Sequence, residues 1–561
     1  MRKTVPKCRE QVAIDLVKPL AAAAALQQSE QVPSYQTVSA KSRHVGTLSN
    51  IQSCANKTSM ELGCMNDESG GMLTVGRNCW RIERAERLAL IVDAADYFRH
   101  VKSAMLKARH SIMLIGWDFD TRIKIEPEKQ TLEGPNALGE FLSWLPKHRE
   151  HLNVYVLKWD LGMIQALGRG MTPLFIVDWI TDKRLHLRLD HAHPVGSAHH
   201  QKIVVIDDTL AFCGGIDMTT DRWDTPEHLD DNLLRTKPSG RAYGPWHDAT
   251  TAVDGDAARA IADLARERWL RGTGKVLPAV SRKSDLWPDN LVPTMEHVEV
   301  AIARTIPALD DHRAVREIES LYFDAIGRAE RTVYIETQYL ASRKIAEAMV
   351  RRLQEPFGPE IVLVLPKTTE GWLEHKAMDG ARHRLLRELW KADRHKRFGV
   401  YYPVTAGGKP IYVHAKILTI DDKLLRVGSS NLNNRSMSFD TECDLAVEAA
   451  GTSANQMKLR DTIVAVRDNF LCEHLGVEPR RLAAALNAGS GSVLKAIDAL
   501  HSPGRTLVPF ERATIEDDES LLAENDLLDP EIMPAGFNWR LGEKIAGIPS
   551  MFRLVKPSRQ H

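Results

Sequence analysis

HHQKIVVID (residues 199–207) and VHAKILTID (413–421) carry one pattern, His-x-Lys-x-x-x-x-Asp, twice in a chain of 561 residues. Alternate residues of a strand share a face, so His200 and Lys202 point one way, and so do His414 and Lys416. The branched runs IVVI and ILTI that follow the lysines read as buried strands. A glycine follows each histidine at the same distance, Gly214 in the first copy and Gly428 in the second. Such duplication predicts one site assembled from two similar halves.

Outward from these strands the repetition continues. The helical spacing of DAADYFRHVKSAMLKARH (93–110) leads into the apolar run SIMLIGW, and HRAVREIESLYFDAIGRAER (312–331) leads into TVYIET. The junctions KARHSIMLIG and RAERTVYIET align without a gap. Further apolar runs, NVYVLKW (153–159) and EIVLVLP (360–366), come next in each half. Alternating helices and strands predict an α/β fold: two similar α/β sandwich halves with mixed sheets, related by a pseudo-twofold, with the active site at their interface. The expected organisation is a polar, disordered leader (1–78), a first half (79–275), a linker carrying Pro278, Pro288 and Pro293 (276–297), a second half (298–475) and a tail (476–561). That tail has helical segments, an acidic stretch and an aromatic end, and the reading gives it no function beyond packing on the body.

The residue types fit attack on a phosphodiester. Histidine titrates near neutrality, so one copy can attack phosphorus while the other protonates the leaving oxygen. Lysine ammonium groups stabilise charge on the non-bridging oxygens. His200, Lys202, His414 and Lys416 are therefore the catalytic candidates. Ser429 and Asn431, in GSSNLNNRS, are candidates for holding phosphate oxygens. Glu442, in FDTE, is a candidate for fixing a histidine tautomer. In the first copy the counterparts of Ser429 and Asn431 by spacing are Gly215 and Asp217, so the two halves are not chemically identical. Asp207 and Asp421, each followed by a second aspartate, read as turn-capping supports. His199 faces away from His200 and reads as packing or surface. His191 and His193 lack the companion spacing of a zinc site, and the arrangement calls for no metal and no cofactor.

Several segments resemble the phospholipase D superfamily with its two HKD motifs. GGIDMTTDRWDTPEH (214–228), GPWHD (244–248), IETQYL (335–340, with Thr337 where the family has Asn), IYVHAK and GSSNLNNRSM are similar to eukaryotic-type phospholipases D over roughly residues 85–475. The resemblance implies that His200 is the nucleophile and His414 the acid. It implies hydrolysis of phosphatidylcholine-type lipids to phosphatidic acid at a membrane surface. The alternatives are a cardiolipin-synthase-like transferase, a nuclease, or a non-catalytic phospholipid-binding protein. Family members often carry a membrane-targeting domain ahead of the catalytic body, and this leader is too short and too polar for one.

Lys+Arg and Asp+Glu both number 74, so bulk charge does not favour a nucleic-acid partner. The seven cysteines are scattered and odd in number, which suits a reducing compartment. No apolar run is long enough to span a bilayer. Asp15 and Lys18 interrupt the apolar stretch of residues 1–27 that would otherwise resemble a signal peptide. The expectation is a monomer, a pseudo-dimer within one chain, cytoplasmic or peripheral on a membrane, with export by a signal-less route as the alternative. No protein partner is implied. Trp117, Trp159 and Trp223 are aromatic candidates near the site, with Trp117 expected in the core.

Overall fold

The structure is a computed structural model that describes residues 71–160, 179, 182–281, 284–309, 312–369, 378–512, 515 and 529. The first half runs β1 (Arg81–Val92), α1 (Ala94–Lys107), β2 (Ser111–Gly116), α2 (Leu138–His148), β3 (Asn153–Trp159), β4 (Leu185–Asp190), β5 (Ile203–Ile206), β6 (Leu210–Gly214), β7 (Trp246–His247), β8 (Ala249–Asp254) and α3 (Gly255–Thr273). The second runs β9 (Met295–Ile306), β10 (Val315–Arg316), α4 (Glu317–Arg328), β11 (Thr332–Glu336), α5 (Arg343–Gln354), β12 (Glu360–Val364), α6 (Gly380–Ala392), β13 (Phe398–Val404), β14 (Tyr412–Val413), β15 (Ile417–Ile420), β16 (Leu424–Gly428), β17 (Glu442–Glu448) and α7 (Ala454–Leu475). Helices α8 (Pro479–Ala488) and α9 (Val493–Leu500) and strand β18 (Thr506–Pro509) follow.

Outward from a central seam, the first half orders its strands β1-β8-β6-β5-β2-β3-β4 and the second β9-β17-β16-β15-β11-β12-β13, so equivalents occupy equivalent places. The seam is an antiparallel ladder of β1 on β9, from Arg81 opposite Ile302 to Leu88 opposite Met295. It joins the halves into one mixed sheet. The expectation of two similar α/β halves holds, with the sheet and one of its two core layers continuous across the seam. On one face an apolar core runs through both halves under α3, α7, α8 and α9. The opposite face carries α1 and α2 over the first half and α4, α5 and α6 over the second. Period-two alternation explains the division: Ile112 and Leu114 face one core, Met113 and Ile115 the other.

The two aspartates that end the repeated pattern do the same job in each half. Asp207 accepts hydrogen bonds from the amides of Arg109, His110 and Ser111 at 2.7–2.8 Å. Asp421 accepts from Glu330, Arg331 and Thr332 at 2.7–2.9 Å. Each therefore satisfies three amides at the start of the neighbouring strand, β2 or β11, and lies roughly 16 Å along its strand from the lysine. The glycine that ends each hairpin allows close approach of the next strand. A Cβ on Gly214 would collide with Thr250 of β8, and one on Gly428 with Asp444 of β17. Gly428→Ala is expected to lower the stability of the chain by about 2–3 kcal/mol, read as a lower denaturant midpoint at unchanged slope. A loss under about 0.5 kcal/mol would mean that β16 and β17 can spread to admit a methyl group.

Two boundaries move. The body starts before Cys79: Met72 and Asn78 are buried, and the amides of Met72 and Leu73 donate to Glu448 at 2.5 and 3.0 Å. Met72 and Leu73 also pack against the second half's core, an apolar contribution too short to show a period in the sequence. Residues 1–70 of the expected leader lie outside the described residues. The linker packs Leu286, Trp287 and Leu291 into the first half's core, and its last residues already belong to β9. Leu482, Val493, Ile497 and Leu500 of the tail pack into the shared core, and β18 extends the sheet beside β13. The tail's acidic stretch, 516–526, lies outside the described residues.

Candidate active site

His200 precedes β5 and His414 precedes β15, at the same end of equivalent strands. Each is tied to the opposite half. The His200 amide donates to the carbonyl of Thr441, just before β17, at 3.0 Å. The His414 amide donates to the carbonyl of His247, just before β8, at 2.8 Å. The same crossing places the side chains. His200 Nδ1 lies 2.9 and 3.0 Å from the two oxygens of Glu442. His414 Nδ1 lies 2.6 Å from Asp248 Oδ2. Each imidazole is thus oriented by a buried carboxylate supplied by the other half, leaving Nε2 as the nitrogen for chemistry.

Glu442 is held in turn by Ser429 Oγ, which donates to it at 2.5 Å, and by Ser436 Oγ at 2.7 Å. Ser429 was expected to hold phosphate. Its hydroxyl is buried and bonded to Glu442, so in this structure it supports the carboxylate. The Asn431 side-chain oxygen is buried without a hydrogen-bond partner. Lys202 Nζ donates to the carbonyl of His200 at 2.9 Å and sits 3.1 Å from Asp217. Lys416 Nζ donates to the carbonyl of His414. The lysine side chains therefore curl back beside the histidines that precede them, on the face that strand alternation gives both.

Burial, joined by the positive charges of Lys202 and Lys416, holds the His200 imidazole well below its ordinary value. Burial, Lys416 and Arg222 do the same to His414. Both shifts favour the uncharged ring, and an uncharged Nε2 is a competent nucleophile. Burial pushes Glu442 up to about 8 against the pull of Lys202, and pushes Asp248 up as well. Burial brings Lys416 down to about 7 although Asp248 opposes it. An arriving phosphodiester anion favours the charged forms of the lysines and of the acid histidine.

Sequence reasoning missed Asp248, although GPWHD, the segment that contains it, stood out. It also placed Trp117 in the core. Trp117 is half-buried, with its ring centroid 6.2 Å from His200 and 6.2 Å from Trp159. On the other side Trp246 lies 5.2 Å from His414, stacks on Tyr412 at 4.5 Å and carries the Arg222 guanidinium 4.2 Å above it. A cleft of about 230 Å³ opens beside it, lined by Tyr243, Trp246, Lys367, Thr369 and Tyr412. His199 packs as expected, buried with Nδ1 2.6 Å from Thr441 Oγ1. His191 and His193 both engage Asp160, at 2.8 and 3.1 Å. Among the described residues no helix is long and apolar enough to cross a membrane.

A duplicated α/β half that brings two His/Lys pairs together at a pseudo-twofold seam defines the HKD class of proteins. Comparison with known proteins agrees. A family profile described as "Phospholipase D" matches residues 176–349, and one described as "Cardiolipin synthase, PLD-like domain" matches residues 322–459. The chain is a phospholipase D-like protein of the HKD superfamily. Phospholipase D alpha 4 of Arabidopsis thaliana is 22% identical over 496 residues, covering 68% of this chain and 64% of that protein. Phospholipase D A of Dictyostelium discoideum is 23% identical over 479 residues, covering 70% of this chain and 36% of its own length. The chain therefore spans less than two thirds of these relatives. A solved phosphatidylserine synthase from Haemophilus influenzae Rd KW20 aligns with a TM-score of 0.48 at 13% identity, over 74% of this chain and 97% of that one.

Proposed function

We propose that the chain is a phospholipase D that hydrolyses phosphatidylcholine-type lipids to phosphatidic acid and the free headgroup. The observation that carries the reading is the pair of imidazoles, each fixed at Nδ1 by a carboxylate of the opposite half and each beside a lysine. By family resemblance His200 is the nucleophile. Its Nε2 attacks phosphorus, the bond from phosphorus to the headgroup oxygen breaks, and His414, which takes up a proton on Nε2 when the phosphodiester anion binds, passes that proton to the departing oxygen. Water then attacks the phosphohistidine, His414 accepts its proton, and the P–N bond breaks to release phosphatidic acid. Lys202 and Lys416 stabilise the charge on the non-bridging oxygens throughout. The aromatic cleft beside Trp246 suits a peripheral encounter with a lipid surface, because such rings tolerate an apolar and a wet side at once. No protein or nucleic-acid partner enters this scheme.

A short-chain phosphatidylcholine with added butanol tests it. Butanol can replace water in the second step, so product should shift from phosphatidic acid to phosphatidylbutanol as the alcohol rises. Configuration at phosphorus should be retained, since two in-line displacements each invert it. No phosphatidylbutanol, or inversion, would overturn the covalent scheme. The cardiolipin-synthase profile on residues 322–459 favours a second reading, transfer to a glycerol hydroxyl by the same histidines. Phosphatidylglycerol as sole substrate separates the two: preferential release of glycerol with a phosphatidyl-transfer product, and little headgroup release from phosphatidylcholine, would select the transferase.

A further inference from the structure

Behind the second histidine lies a buried cluster that the phosphodiester chemistry does not use. Four segments remote in sequence send one donor each to it: Asp93 between β1 and α1, His228 from the loop before β7, His247 on β7, and Glu473 near the end of α7. Their donor atoms all lie within 4.8 Å of one another. Glu473 Oε1 is 2.8 Å from His247 Nδ1 and 3.1 Å from His228 Nε2. The two oxygens of Asp93 lie 3.5 Å from His228 Nε2 and 3.6 Å from His247 Nδ1. Zinc bound at 2.0–2.1 Å in a tetrahedron sets its donors about 3.3 Å apart, close to the 3.1 Å from His228 to Glu473 and the 3.5 Å from His228 to Asp93 Oδ2.

Two further observations point inward. Asp93 Oδ2 is buried and forms no hydrogen bond, although the other donors are its neighbours. Both imidazoles are also fixed from outside by carboxylates through the ring nitrogen that faces away from the cluster. His228 Nδ1 is 3.0 Å from Asp224, and His247 Nε2 is 2.8 Å from Glu336. These are the carboxylate–histidine pairs that orient metal ligands and set their tautomer. Asp224 is held by Arg235, and Glu336 by Tyr334 and His474, so both outer carboxylates are engaged. Arg505 lies 3.9 Å from Glu473 at the margin.

We propose that Asp93, His228, His247 and Glu473 form a closed four-donor site for one zinc-sized divalent ion, structural in role and separate from the phosphodiester centre. Two carboxylates and two neutral imidazoles cancel the charge of such an ion, which suits a buried position. The ion pins the segment that carries Asp248. The Asp248 amide donates to Asp93 Oδ1 at 3.1 Å, and the carbonyl of His247 accepts the amide of His414. The expectation that the reaction needs no metal is untouched.

The test uses the full chain. Protein prepared in zinc-supplemented medium and dialysed should retain about one zinc per chain by elemental analysis. After stripping, Co²⁺ should give the intense visible bands of tetrahedral coordination, and added Zn²⁺ should raise Tm by several degrees. Glu336→Gln, which alters only the outer carboxylate, should weaken zinc binding about 10–100-fold with the fold retained. A folded wild-type chain that retains no zinc, gives no tetrahedral cobalt bands and keeps its Tm would overturn the site and leave a proton-held network of imidazolium and carboxylate. Zinc lost in His193→Ala but kept in Glu473→Gln would place the ion at Asp160, His191 and His193, and would overturn it equally.

Discussion

His200→Ala and His414→Ala are each expected to lower kcat for phosphatidylcholine by about 10⁴-fold, ~5.5 kcal/mol of barrier, with the fold retained. Glu442 keeps its two serine donors when His200 is removed, so no buried carboxylate is stranded. The double variant should be little worse than either single one, because the two histidines act as a unit. The leaving group orders them. A p-nitrophenyl phosphodiester departs without a proton, so His414→Ala should recover a burst of nitrophenol with this substrate and His200→Ala should not. A burst in His200→Ala alone would exchange their roles, and near-normal turnover in either folded variant would remove the two-histidine mechanism.

The second large effect concerns the crossed carboxylates. Asp248→Asn and Glu442→Gln are each expected to lower kcat about 10²–10³-fold with little change in KM, because the amide still fills the space but no longer favours the Nδ1–H tautomer. The two should differ by substrate. Asp248 orients the acid, so Asp248→Asn should be largely rescued by the p-nitrophenyl substrate, whereas Glu442→Gln should stay slow. Equal losses on both substrates would show that the carboxylates set folding of the seam and not the alignment of individual rings. The thermal midpoints of the two variants, measured alongside, distinguish these outcomes.

Much of this site was legible because it rests on local alternation. The strands IVVI and ILTI and the facing of His and Lys follow from a period of two. So does the structural role of Asp207 and Asp421, since both lie at the far end of the strand from the histidine. Glu442 was within reach because it begins the strand two hairpin arms after His414. Asp248 was not, because the long stretch from Thr219 to Pro245 separates it from the first motif and conceals the equivalence of β8 with β17. Ser429 shows another limit. A hydroxyl beside a phosphate site can turn to substrate or to a carboxylate, and only the fold shows that it meets Glu442. The β1–β9 seam escaped notice because RIERAERLALIV and MEHVEVAIARTI mix charges into their apolar pattern, as strands do where part of a face meets solvent. The two predicted halves were right, and the ladder that fuses them had no sequence signal of its own.

The crossing of the carboxylates also bears on why both copies sit in one polypeptide. If a single half paired with an identical one, every residue at the site would have an identical twin, and nucleophile and acid would share one environment. Tandem fusion removes that obligation. Here the carboxylate behind one ring is a glutamate and behind the other an aspartate. Lys202 faces Asp217 at 3.1 Å, while the position of matching spacing in the second copy is the uncharged Asn431. Gene duplication followed by fusion thus permits a division of labour that symmetry forbids. It also binds each copy to its sibling, since among the described residues each imidazole is hydrogen-bonded at Nδ1 by a carboxylate of the opposite half.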